Sequence, residues 1–131
     1  MEKQVSKSLF LNLYSMVIAD GIAHPKELET LYRIGTENYG LTLDEMAISV
    51  KGHGAATPIP EEEEERIGLL YEMALIANAD GEIDDTERKL LLRYAQAYNV
   101  AEEEIGNLVD FLFKKAKENA DKADVVNELK Q

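Results

Sequence analysis

Two short stretches carry most of the chemistry in this chain: "VIADGIAHPKE" at 17–27 and "ANADGEIDDTE" at 77–87. Each leaves the end of an expected helix through Ala-Asp-Gly and reaches a Glu seven residues after the Asp, so that Asp20 goes with Glu27 and Asp80 with Glu87. A carboxylate at a helix C-terminus faces the negative end of the helix dipole, which costs about 0.3–1 kcal/mol. A cation at the same place reverses that sign. Hard divalent ions take carboxylates and carbonyls as ligands, and the last turn of a helix offers free carbonyls. The second stretch is the richer, with Asn78, Asp80, Glu82, Asp84, Asp85 and Glu87 close together. The chemistry such a set predicts is binding of a divalent cation: calcium, magnesium, manganese or zinc.

The second stretch also overlaps an EF-hand loop in part. With Gly81 at the sixth loop position, Asn78, Asp80, Asp84 and Glu87 fall on ligand positions, but Ile76 stands where the first carboxylate belongs. The first stretch departs further, with Met16, Ile18 and His24 at ligand positions. An irregular site is therefore expected in place of an EF-hand. The competing reading is purely structural. Asp20 and Asp80 accept hydrogen bonds from turn amides, Gly21 and Gly81 end the helices, and Glu27 and Glu87 complete helix caps.

The elements that must position these residues are helices throughout, since apolar residues recur at helical spacing and no segment alternates. A first helix is expected from Lys3 to Ala19, burying Leu9, Phe10, Leu13, Met16 and Val17. The second begins at Pro25, a favoured first helical residue, and ends at Gly40. Thr42 and Glu45 form a T-x-x-E capping box for a short third helix reaching Val50. After the irregular "KGHGAATPIP", the glutamates 61–65 open a fourth helix running to Ala79. These acids suit the positive end of a helix dipole and read as a solvated helix start. Asp84 to Glu87 starts a fifth helix. A sixth starts near Glu102 and buries Ile105, Leu108, Val109, Leu112 and Phe113, and the tail carries a last short helix around Val125, Val126 and Leu129.

The chain repeats itself. At an offset of 60 residues, Ala19-Asp20-Gly21 falls on Ala79-Asp80-Gly81, Glu27 on Glu87, Leu31 on Leu91, Arg33 on Arg93 and Gly35 on Ala95. After a slip of one residue, Tyr39-Gly40 meets Tyr98-Asn99, and Glu45-Met46 meets Glu104-Ile105. The expectation is a single all-α domain, a bundle of six to seven helices built from two pseudo-symmetric halves, about 5–52 and 61–112, with a tail at 113–131.

"MALIANADGEIDDTERKLL" and "MVIADGIAHPKELETLYRIG" resemble the tellurite-resistance B (TerB-like) family, in which an apolar helix ends in A-D-G and an acidic helix start with a Glu follows. The resemblance spans roughly Leu9 to Leu112. It implies a duplicated helical bundle, usually non-enzymatic, with acidic residues proposed to bind divalent metal and a role in stress response or membrane-associated complexes. Carried onto this chain, the residues are Asp20, Glu27, Asp80 and Glu87. The first copy departs from the acidic pattern at Ile22, His24 and Pro25, where the second has Glu82, Asp84 and Asp85.

Composition narrows the partners. Acids outnumber bases by 26 to 14, a net charge of −12, which disfavours phosphate backbones and anionic membranes and leaves cations or basic proteins. There is no cysteine for thiolate zinc sites or nucleophilic catalysis. His24 and His53 stand beside no nucleophile in sequence, and no phosphate-binding loop is present. The expectation is a non-catalytic, cytoplasmic protein without nucleic-acid binding or membrane insertion. An acid-rimmed groove between the halves would take a basic peptide, and an exposed face of the sixth helix leaves room for a homodimer.

Overall fold

The computed structural model describes residues 3–18, 24–51, 60–79, 81, 83 and 85–130. Among these the chain is all-helical, as expected, with seven helices: α1 Lys3–Val17, α2 Pro25–Glu37, α3 Leu43–Lys51, α4 Glu63–Ala77, α5 Asp85–Ala97, α6 Glu102–Lys117 and α7 Lys122–Lys130.

The bundle is organised around α4. From Ile67 to Ala77 every residue but Leu75 is buried, so over this stretch, apolar but for Glu72, the helix has no solvent face. A helix of that kind must be enclosed by others, and α1, α2, α5, α6 and α7 all pack on it. The predicted core residues Leu9, Phe10, Leu13, Met16 and Val17 of α1 are all buried in the common core. Leu108 is the exception among those expected inside α6: it is half-buried and lines the edge of a groove.

The element bounds keep the offset read from the sequence. The helices α1 and α4 begin and end 60 residues apart, as do α2 and α5, and α6 begins 59 residues after α3. Packing partners follow suit. Exchanging α1–α3 with α4–α6 leaves the set of helix pairs among those six unchanged: α1 on α2 and α3, α4 on α5 and α6, α2 on α3, α5 on α6, α2 on α4 and α1 on α5.

Helix ends repeat as well. Gly40 (φ 64°) and Asn99 (φ 66°) both take the left-handed conformation that Gly and Asn permit. After α5, Val100 N–H to Ala95 O (3.1 Å) with Asn99 N–H to Gln96 O (3.1 Å) makes a Schellman closure, whereas the closing bond after α2, Leu41 N–H to Gly35 O (3.0 Å), spans one residue more. Gly35 is small for a reason: a Cβ there would lie 2.5 Å from Met46 Sδ and 3.1 Å from Phe10 Cδ1. The Thr42–Glu45 capping box is present in both directions, at 2.9 and 3.1 Å.

The tail expected from residue 113 begins in mid-helix. Phe113 and Ala116 are buried, which carries α6 on to Lys117. Asn119 (φ 53°) then turns the chain so that α7 returns along α4. Tyr71 fixes that turn by donating its hydroxyl hydrogen to Ala120 O (2.5 Å), with Lys115 O at 3.3 Å. Lys115 adds an ion pair to Glu128 on α7 at 3.0 Å, and this holds the ammonium pKa above its usual value.

Candidate functional site

The two acidic corners lie where α1 passes to α2 and where α4 passes to α5. At the second, Asn78 is the C-cap of α4, and its carbonyl accepts the Gly81 amide at 2.9 Å. Gly81 has φ +88°, so the turn requires the left-handed conformation that glycine supplies without strain. Ile83 packs on the core, Asp85 opens α5 at the surface, and Glu87 follows in the first helical turn. At the first corner, His24 is the N-cap of α2 and Pro25 its first residue, with Glu27 in the first turn.

The distinguishing feature of both corners is burial. Glu27 is 1% exposed and Glu87 is 4% exposed, at matching positions of two helices 60 residues apart. First-turn glutamates elsewhere stand out in water: residues 63–65 and 102–104 are all exposed. Glu45, which does cap its helix, remains partly accessible. His24 makes no side-chain capping bond among the described residues, so α2 lacks the side-chain half of a capping box. A buried carboxylate demands matching donors or a cation, because desolvating an unmatched charge is far too costly.

Of the predicted ligands, the structure thus places Asn78, Glu27 and Glu87. Asp20, Asp80, Glu82 and Asp84 lie outside the described residues, as does His53. Among the described residues alone, no group of three or more His, Asp or Glu side chains is close enough to hold a metal ion.

A second buried carboxylate centre escaped the sequence reading. Glu72, on α4, is 0% exposed. Its Oε2 accepts from Asn38 Nδ2 at 2.5 Å and from the Lys122 ammonium at 3.3 Å, and its Oε1 accepts from the Tyr39 hydroxyl. Lys122 also lies over the Tyr39 ring, 5.7 Å from its centroid. Burial first, then the Glu72 charge and hydrogen bond, push the Tyr39 hydroxyl pKa far above 10.0. One acid in the apolar run "LLYEMALIA" was the available signal, since a lone charge on a fully apolar helix has to meet a partner inside. Glu72 is satisfied by three donors, two from the end of α2 and one from α7, and this arrangement reads as a structural tie between α2, α4 and α7.

No family model, curated protein or solved structure matches the chain. Among the described residues, no helix is long and apolar enough to cross a membrane.

Proposed function

We propose that the chain is a non-catalytic helical binding domain of TerB-like type, built by duplication, that takes up a divalent cation at the corner between α4 and α5. The single observation that carries this reading is the burial of Glu87 and Glu27 at equivalent positions, each following an Ala-Asp-Gly in the sequence. Glu87 would be an anchoring carboxylate, with Asp80, Glu82, Asp84 and Asn78, which precede it in the sequence, as the candidate donors of further oxygens. The Glu27 corner carries fewer acids and is the weaker of the two. The resemblance in sequence supports a place in a stress response, with a protein partner.

The test is a thermal melt of chelator-stripped protein with calcium, magnesium, manganese or zinc added separately, and Asp80→Asn alongside. A ligand held by the native state at a hundred times its dissociation constant adds about 2.7 kcal/mol, which for a domain of this size is a shift of about ten degrees. One ion should give a shift of that order, and Asp80→Asn should remove it. If no ion moves the midpoint at millimolar concentration, the corners are helix caps. The domain is then a scaffold for protein partners, as the working capping box at Glu45 illustrates for acids in that position.

A further inference from the structure

A groove with a volume of about 760 Å³ lies between α4, α6 and α7, and none of the described corner residues lines it. Its apolar floor combines Ile67 of α4, Leu108 and Phe111 of α6 and Leu129 of α7. Leu108 and Phe111 are three residues apart and so share one face of α6. The rim is acidic. Glu63 and Glu104 line the opening, and they belong to two exposed runs, 61–65 and 102–104, in which every residue is a glutamate. Arg66 also lines the groove, but its Nη1 donates to the carbonyls of Pro60 (3.1 Å) and Glu61 (3.0 Å), which holds it against the start of α4. Tyr98 lines it too. Its hydroxyl is buried, with no hydrogen-bond partner among the described residues.

An apolar trough between helices with charge concentrated on its edges matches the way grooves accept an amphipathic helix, apolar face down and charged flanks on the rim. The sign of the rim chooses the occupant. We infer that this groove docks a basic amphipathic helix of a partner protein, with leucine-like side chains over Leu108 and Phe111 and Lys or Arg beside Glu63 and Glu104. The cleft at Ser15, between the halves, is the opposite case: it is small, about 290 Å³, and carries Lys89 and Arg93. This site stands independently of the cation corners.

The test uses the full chain, isotope-labelled, titrated with a synthetic amphipathic helical peptide of leucine and lysine, and with its glutamate-for-lysine counterpart. Binding should be confined to the lysine peptide, with amide shifts concentrated in the first turn of α4, residues 98–111 and the end of α7. Leu108→Arg should weaken it at least tenfold, whereas Ile48→Arg, on the exposed face of α3, should leave it unchanged. Glu63→Gln with Glu104→Gln, at exposed helix-start positions, should weaken it severalfold and flatten its salt dependence. Absence of binding overturns the inference. So do shifts spread over the whole acidic surface and indifferent to both sets of variants. Shifts of the same groove residues on simple dilution would assign the groove to a second copy of the chain and overturn it as well.

Discussion

The two halves share a frame and differ in what they bury at its centre. On α4, Glu72 is held by Tyr39, Asn38 and Lys122. The matching residue on α1, 60 positions earlier, is Asn12, whose Nδ2 reaches back to Ser8 O in its own helix at a long 3.4 Å. Tyr39 donates to a carboxylate, while its counterpart Tyr98 keeps a hydroxyl with no hydrogen-bond partner among the described residues. The nearest polar link on that side joins Tyr94 and Ser15. The reason lies in α7, which packs on α4 and brings Lys122 to balance the charge. A buried acid is tolerable where another element supplies a cation, as α7 does here; the equivalent position on α1 carries a neutral amide.

The largest effect should come from removing the two central residues in turn. Glu72→Ala should cost about 3 kcal/mol, because three hydrogen bonds are lost and Asn38 and Tyr39 are left without their acceptor. Asn12→Ala should cost about 1 kcal/mol. Denaturant unfolding measures both, and equal losses would abolish the distinction drawn between the halves.

The tyrosines sharpen it. Tyr39→Phe deprives a buried carboxylate of a donor and should cost about 2 kcal/mol, whereas Tyr98→Phe removes an unused hydroxyl and should be neutral or slightly stabilising. Both hydroxyls, with that of Tyr71, have pKa values raised above 10.0, burial being the first cause in each. A raised folded pKa means stability that is complete below pH 10 and lost as pH rises beyond it. Phenolate absorbance should therefore show these three of the six tyrosines ionising only as the chain unfolds in alkali. Early ionisation of Tyr39 would contradict its bond to Glu72.

A smaller effect is expected at the helix starts. Thr42→Ala breaks the capping box of α3 and should lower stability by about 1 kcal/mol.

The all-helical fold was legible because its signals are local: apolar spacing, the Pro25 start, the Thr42 cap, and Gly40 and Asn99 at helix ends. The offset between Glu27 and Glu87 was legible for the same reason. Their burial was not, since a first-turn glutamate at 102–104 looks the same in sequence yet faces water. Glu72 was hidden more deeply. Its partners come from residues 38, 39 and 122, and no window along the chain joins them. The expectation placed an acid-rimmed groove between the halves; the groove lined by Glu63 and Glu104 lies elsewhere, between α4, α6 and α7, where α7 supplies a wall.

The proposed cation site at the second corner, with a weaker one at the first, is tested by comparing Glu87→Gln with Glu27→Gln, each melted with and without the ion that shifts the unaltered chain. The account predicts that Glu87→Gln loses the ion-dependent shift while Glu27→Gln retains most of it, since Ile22, His24 and Pro25 stand where the second corner has Glu82, Asp84 and Asp85. An ion-dependent shift that survives Glu87→Gln, or no shift with any ion, would contradict it.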